Sequence, residues 1–493
     1  MPARQAYNVR ILLGPQRPLD LPSSLCESYS VEPEDLLLRK SPTALTVRTF
    51  LCQSYRVERE DLLVSTPLYS VYKADGLKVI MSRRDNARTD ASVISVTDSL
   101  KSLMASTLRY AGEMSGLTFL DDTALRQYGP EQVLHRMLST KSYISTSSSL
   151  AAKNQAAHDK PGRQAFTQVG KGQCGTVWAL TGTTQVFKIM NEGKQGQLWN
   201  DYCQHASIEE AFLATYSGYR RNISLPRVSA WVGPDNEMFW EEHRGLFPEA
   251  SSIKPTSGFL SERIFPVPLP VRAALVDAFA PREVKKNKES FLSQPENKDC
   301  LIRIYLGRRQ TRPATNTFRL RNFDMTVNEM EFLRLDTSLY AETLAQMLAI
   351  IHWKANLDAN DVEFVFGSAP AVKGRPTAAE LKATNPKDVQ KLVTEIDFNH
   401  RSIGIWVLDF DQCKEFAHDQ GGVKQLERGF YFNDPYYPRP VSTDPKDVAL
   451  WNTFKECYLD TSAAFIASGM PQQFIDAVEA EGRKRGAGGS LFK

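Results

Sequence analysis

Between residues 166 and 190 the chain places Gly170, Gly172 and Gly175 at G-x-G-x-x-G spacing, with Val177 two residues on. Glycine lets a backbone bend sharply and bring its N–H groups close to an anion. Thr176-Val-Trp-Ala-Leu180 follows the glycines, then the small-residue turn Thr181-Gly-Thr-Thr184, then Gln185-Val-Phe-Lys-Ile-Met190. β-Branched and aromatic residues on both sides of a small-residue turn predict a hairpin. A dinucleotide-binding βαβ unit would instead need a helix directly after the glycines. The third stretch carries Lys188, a cation held beside the glycine turn.

Strand, glycine turn, strand and lysine resemble the nucleotide-binding lobe of protein kinases. The resemblance implies an α+β fold with a protein-kinase-like bilobal core: a small β lobe over 165–265 and a mainly helical lobe over 266–493. Glu209 and Glu210 lie on a helix expected over Ser207–Ser217, where either could pair with Lys188. The plainer reading of Lys188 is a solvated strand lysine. Further along, the pattern predicts a strand near Gly258–Phe265 and a long helix over Leu339–Trp353. Leu344, Met347, Leu348 and Ile351 form one stripe of that helix. Strands over Val362–Phe366 and Ile405–Phe410 and a helical tail complete the order.

A chain of 493 residues is expected to hold two or three domains. Residues 1–138 form an extra N-terminal region. In it Leu25-Cys-Glu-Ser-Tyr-Ser-Val-Glu-Pro-Glu-Asp-Leu-Leu37 recurs as Leu51-Cys-Gln-Ser-Tyr-Arg-Val-Glu-Arg-Glu-Asp-Leu-Leu63. Two copies are too few for a solenoid and suit a duplicated small unit. Helical patterns follow around Thr97–Ala111 and Gly129–Met137. Residues 139–164, rich in Ser and Thr and then Ala, read as a linker. Polar stretches at 283–299 and 367–390 read as insertions.

Net charge is only +3, so any nucleic-acid contact must come from a local basic patch. The seven cysteines and seven histidines are scattered, with no C-x-x-C, which suits reduced thiols in the cytoplasm and no structural zinc site. No apolar run approaches the ~20 residues of a membrane span, so no membrane contact is expected.

Three constellations could carry chemistry. The first runs His352-Trp-Lys-Ala-Asn356-Leu-Asp358-Ala-Asn-Asp361-Val-Glu363, following the long helix where a kinase keeps its catalytic loop. If Asp361 aligns with the metal-binding asparagine of that loop, Asn356 stands where the catalytic aspartate belongs, and an amide is no general base. If Asp358 is the base, the spacing to Asp361 is too short. The second is Asp409-Phe-Asp411 at the end of an apolar strand, resembling the Asp-Phe-Gly segment that holds magnesium. Asp358, Asp361, Glu363, Asp409 and Asp411 are expected to form one acidic pocket. Such a pocket favours a cation, either Mg²⁺ or a guanidinium group. The third is an arginine cluster, Arg303, Arg308, Arg309, Arg312, Arg319 and Arg321, interleaved with Tyr305, Phe318 and Phe323. It is the best candidate for an RNA backbone, the alternative being the outer face of a hairpin.

Several phrases in order resemble one fungal protein family carried as a domain of unknown function under a zinc-finger label. They are Leu260-Ser-Glu-Arg-Ile-Phe-Pro266, Ile302-Arg-Ile-Tyr-Leu-Gly-Arg308, Phe318-Arg-Leu-Arg-Asn-Phe323, His352-Trp353, Asp361-Val-Glu-Phe-Val-Phe-Gly367, Leu408-Asp-Phe-Asp-Gln-Cys413 and Asn433-Asp-Pro-Tyr-Tyr-Pro438. Some members of that family are arginine-containing cyclodipeptide synthases. The resemblance implies arginyl-tRNA and a second aminoacyl-tRNA as partners, and a cyclo-Arg-Xaa diketopiperazine as product. An aminoacyl ester is already activated, so no cofactor is required; Mg²⁺ and ATP belong to the alternative of a phosphotransferase. A further alternative is a catalytically inactive kinase-like binding module, suggested by Asn356. Under the resemblance His352, Asp358 or Asp409 takes the proton from the α-amine. Asp361, Glu363 and Asp411 hold the arginine side chain. Gly170, Gly172, Gly175, Lys188, Glu209, Arg303, Arg308, Arg309, Arg319 and Arg321 face tRNA or phosphate. Cys413 is either an acyl carrier or a buried inert thiol.

Overall fold

The computed structural model describes residues 120–309, 318–372, 378–386 and 396–487, with the backbone of four strands between residues 8 and 82. The repeat at 25–37 and 51–63 falls outside these residues apart from Glu58–Arg59, as do Thr97–Ala111 and Arg312. Met1–Met104 and Ala105–Lys493 form two compact units. In the first, β1 (Asn8–Leu13), β2 (Glu58–Arg59), β3 (Tyr69–Ala74) and β4 (Leu77–Ser82) form an antiparallel sheet in the order β1-β4-β3-β2.

The second unit is α+β and contains two sheets. One is built from β7 (Phe166–Lys171), β8 (Gly175–Leu180), β9 (Gln185–Met190), β11 (Val228–Val232) and β12 (Gly258–Glu262), in the order β11-β12-β9-β8-β7. The glycine-rich stretch is the β7–β8 turn of this sheet. Strand alternation sends Trp178, Phe187 and Ile189 to one face, where they pack on Phe239 and Trp240 of α4 (Glu237–His243). The other face receives α3 (Gln195–Leu213), whose Leu198 packs with Cys174 and Phe259.

The other sheet runs β14 (Phe323–Thr326), β13 (Ile302–Tyr305), β15 (Glu363–Val372), β16 (Ile396–Leu408), β6 (Lys141–Ser145), β5 (Leu120–Asp121), with β10 (Ile223–Ser224) also on β16. The region 266–493 contributes four strands to this sheet beside its many helices, and β15 and β16 are far longer than the stretches Val362–Phe366 and Ile405–Phe410 read from sequence. Of the 367–390 stretch, residues 367–372 continue β15 and Ala378–Ala383 form a helix. In the 283–299 stretch Leu292 and Asn297 are buried, so it is not simply a solvated insertion. The main core lies between this sheet and α6 (Thr337–Ala349), α7 (Gln420–Phe432), α8 (Pro445–Ala463) and α9 (Met470–Ala487). Helix α6 ends in a π turn over Ile350–Lys354, not in regular helix to Trp353.

The expected linker at 139–164 is structured. β6 pairs with β16, and α2 (Ser149–Asp159) buries Ala151, Asn154 and Ala157. Asn154 donates to the Leu150 carbonyl at 2.8 Å, and its Oδ1 accepts from Gly182 N at 3.1 Å in the β8–β9 turn. Gly182 has φ +81° there, and a Cβ would meet the Ala157 carbonyl carbon at 2.6 Å. The Ser/Thr/Ala composition that reads as mobile is here a tether to the five-stranded sheet. Asn154→Ala strands a buried N–H and should cost about 1–2 kcal/mol in urea unfolding. An unchanged midpoint would restore the linker reading.

Candidate active site

The register of the long hairpin builds the site. Glu363 at the start of β15 lies opposite Leu408 at the end of β16. The acids just outside these strands, Asp361 and Asp409, therefore meet at one edge of the sheet. Both have left-handed backbones, φ +64° and +67°, and Asn356 and Ala359 share that region at +58° and +53°. Non-glycine residues accept this only when their surroundings enforce it, and such positions cluster at functional sites.

The enforcement comes from Asp358 and Asn433. Asp358 Oδ1 accepts from Lys414 N at 2.9 Å and Asn360 N at 3.2 Å, while Oδ2 accepts from Gln425 Nε2 at 2.8 Å. Asn433 donates to the Ala359 and Val362 carbonyls and accepts from Asp361 N at 2.7 Å. Gly429 of α7 permits the close approach, since a Cβ there would stand 2.6 Å from the Asp358 carbonyl oxygen. Asp358 is 5% exposed and fully engaged, so it shapes the loop rather than acting as the expected base.

Across the cleft, Lys188 Nζ lies 2.6 Å from Asp201 Oδ2 and 3.5 Å from Asp409 Oδ1. Burial works against the ammonium, yet Asp201 and Asp409 hold its pKa well above the ordinary value. The carboxylate paired with Lys188 is thus Asp201, not Glu209 or Glu210. Glu209 instead accepts from Val228 N at 2.9 Å. The reason is that α3 begins at Gln195, well before the expected Ser207. One face of α3 then clamps the Asp-Phe-Asp segment. Gln197 donates to Asp411 Oδ2 at 2.8 Å, and Asn200 donates to the Asp411 and Cys413 carbonyls. Asp201 Oδ1 accepts from Phe410 N at 3.3 Å.

The carboxylates sense one another. Burial, then Asp409 and Asp411, pushes Asp361 up to about 6, with Arg303 and a hydrogen bond from Gln412 opposing. Burial pushes Glu363 up to about 7 against the pull of Arg303, with Asp409 and Asp361 adding to the rise. Burial also raises Asp409 against Lys188, with Asp201 and Asp411 adding like charge, although 35% of its side chain stays open to solvent. Among the described residues Asp411 Oδ1 is buried with no hydrogen-bond partner. Four of the five expected acids therefore share one neighbourhood.

The glycine turn serves packing as much as any anion. None of Gly170, Gly172 or Gly175 has a positive φ. A Cβ on Gly175 would lie 2.8 Å from the Ile189 carbonyl oxygen and 3.1 Å from Lys188 Cγ, so this glycine lets β8 close over the lysine. Asn191 holds the turn by donating to the Gly172 and Gln173 carbonyls. Cys174, one of the seven scattered cysteines and given no role in the sequence, is buried here, and burial pushes its thiol up to about 12.

His352 does not join the acids. It is 1% exposed, its Nδ1 lies 2.8 Å from the Tyr458 hydroxyl, and burial pushes it down to about 3. A solvent-borne amine cannot reach it. Cys413 is buried against the Asn360 carbonyl with its pKa raised well above the ordinary value, the state of an inert thiol rather than an acyl carrier.

The arginines are largely spent internally, correcting their reading as an RNA surface. Arg303 pairs with Glu363, and Arg309 forks onto Glu331 at 2.7 and 2.9 Å and reaches Asp447 at 2.7 Å. Arg308 stacks on Tyr305, and Arg321 donates to the Val169 carbonyl at 3.1 Å. Arg319 alone of these five is exposed.

A family model described as "Zinc finger protein" matches residues 405–469, the same zinc-finger-labelled family that the ordered motifs resemble. No curated protein matches the chain. The label fits the segment poorly. Its Cys413, His418 and Cys457 are engaged separately, with the Asn360 carbonyl, Asn356 Oδ1 and the Glu342 carbonyl. Among the described residues no group of three or more His, Cys, Asp or Glu side chains is arranged to hold a metal ion. Nor is any helix among them long and apolar enough to cross a membrane.

Because Asp361 holds its proton more tightly folded than unfolded, it contributes stability below pH ~4 that is lost as pH rises through about 6. Asn tolerates a left-handed backbone and keeps an acceptor for Gln412. Asp361→Asn should therefore flatten the fall in stability between about pH 4 and 6. At pH 8 it should leave the protein about 1–2 kcal/mol more stable in urea unfolding. An unchanged slope would place Asp361 outside the acidic cluster.

Proposed function

We propose that the chain is a transfer-RNA-dependent cyclodipeptide synthase that joins arginine from arginyl-tRNA to a second aminoacyl-tRNA-derived residue. One observation carries the reading. Asp361, Glu363, Asp409 and Asp411 crowd one partly open cleft, and the cations within it are already engaged, Lys188 by Asp201 and Arg303 by Glu363. Such a cleft favours a further cation. Glu363 already carries a guanidinium from Arg303, so its chemistry suits that group.

In this reading the substrate guanidinium lies between Asp361 and Asp411, toward the unpartnered Asp411 Oδ1. Asp409, solvent-accessible and with a raised pKa, takes the proton from the attacking α-ammonium. The freed amine attacks the second ester carbonyl and the tRNA 3′-oxygen leaves as the hydroxyl. The α-amine of the second residue then attacks the first ester carbonyl, closing the ring and releasing the first tRNA 3′-oxygen as the hydroxyl. Because both esters are activated, positioning supplies most of the rate.

The frame is kinase-like in this proposal. The five-stranded sheet is the small lobe, and Lys188, Asp201 and Asp409 stand for the lysine, helix carboxylate and metal-binding aspartate of a kinase. That triad also favours a second reading, an Mg·ATP phosphotransferase. Against it, Asn356 stands at the base position if Asp361 is aligned with the metal-binding asparagine of a kinase loop, and its Oδ1 lies 2.7 Å from His418 Nε2.

Purified protein incubated with arginine, the other amino acids, tRNA and synthetases should yield a cyclo-Arg-Xaa mass that RNase abolishes. Asp409→Asn should lower the yield at least ~100-fold while leaving the circular dichroism spectrum unchanged. No product with any amino acid, together with a thermal shift on Mg·ATP that Asp409→Asn removes, would favour the phosphotransferase.

A further inference from the structure

A second charged cluster lies away from the carboxylates and plays no part in the proposed reaction. Phe265 bridges to Ser368 of β15, docking the segment after β12 onto the long hairpin. This docking gathers Arg263, Arg272 of α5 (Leu269–Phe279) and Arg401 of β16 in the interior, at 5%, 5% and 2% exposure. Arg263 and Arg401 place their guanidinium carbons 4.4 and 5.1 Å from the centre of the Phe265 ring. Arg272 donates to the Asn297 carbonyl at 3.0 Å.

The negative charge available does not match. Asp299 lies 3.5 Å from Arg263 Nη2 and is the carboxylate that bears on Arg263 and Arg272. Arg321 and Lys298 also bear on Asp299. Burial pushes Arg401 down to about 9, and the charged groups that bear on it among the described residues are Arg263 and Arg272, both repulsive. Cys300, beside Arg272, has its thiol pushed up to about 12 by burial and adds no charge at neutral pH. Among the described residues Arg401 Nη2, Arg272 Nε and Arg321 Nε are buried with no hydrogen-bond partner. An aromatic face offsets part of a cation's desolvation, but it is not a counter-ion. A buried charge without a partner is strongly destabilising, and a guanidinium does not escape by losing its proton.

We propose that Arg263, Arg272 and Arg401 form a buried site for a phosphate-class dianion. Three guanidiniums against one carboxylate leave two positive charges, and a tetrahedral oxyanion meets their forked donors. The oxyanion is either free phosphate or the terminal phosphate of an RNA, and the two are separable by experiment.

Full-length protein is dialysed into buffer free of phosphate and sulfate and melted with rising inorganic phosphate. The wild type should gain about 2 °C or more, saturating at millimolar phosphate, with no such response to chloride. Arg401→Gln should abolish the gain and, without phosphate, melt no lower than wild type. Arg401→Lys keeps the charge but loses the fork, and should need at least tenfold more phosphate for half the gain. A short 5′-phosphorylated RNA that acts at lower concentration than phosphate, while its 5′-hydroxyl form does nothing, assigns the site to RNA. A phosphate response without this difference assigns it to the free ion. No shift with either probe, an equal shift in Arg401→Gln, or a large loss of stability in Arg401→Gln without phosphate would each overturn the site.

Discussion

The contact of Lys188 with Asp201 and Asp409 is the constraint on which the rest of the site depends. Lys188 belongs to the five-stranded sheet, Asp201 to the helix packed on it, and Asp409 to the end of the longest strand of the other sheet. One ammonium therefore joins three elements that no local sequence signal connects. A buried ion pair contributes little net stability against a well-packed apolar substitute, but losing one partner leaves the other charge stranded. Its value lies in fixing where Asp409 stands. The amide face of α3 reinforces this, because Gln197 and Asn200 grip the same Asp-Phe-Asp segment from above.

With that geometry fixed, the carboxylates have little room. Asp361 is held from below by Asn433 and the left-handed loop, and Glu363 by the strand register and Arg303. Like charges brought together with little water raise one another's affinity for protons or for another cation. The same residues that would be costly in an empty cleft become useful when a positively charged group enters it. The buried arginines around Phe265 are the mirror case, a surplus of cations short of an anion.

Much of the small sheet was legible, because the period-two alternation around Lys188 and the glycine turn is a local signal. Asp201 was not. Its helix buries Leu198, Asp201, His205 and Ile208 along one stripe, and two polar residues on that stripe blur the apolar period that would mark the start of the helix. The seven-stranded sheet was missed for a related reason. Three of the five residues of its strand Lys141–Ser145 are serine or lysine, and the strand takes its stability from pairing with β16, more than 250 residues away. The arginine cluster misled because charge pairing is non-local: Arg309 meets Glu331 and Asp447, which no spacing rule connects. His352 looked chemical and is structural, since the residue that encloses it, Tyr458, lies on a distant helix.

The most direct test of the central claim is a double-mutant cycle between Lys188 and Asp201, using Lys188→Met, Asp201→Asn and the pair, read as unfolding free energies in urea. A shared buried ion pair predicts a coupling of about 2 kcal/mol, with the double variant more stable than the sum of the single losses allows. Additivity within ~0.3 kcal/mol would mean that the two side chains do not meet, and the arrangement of the cleft built on them would fall with it.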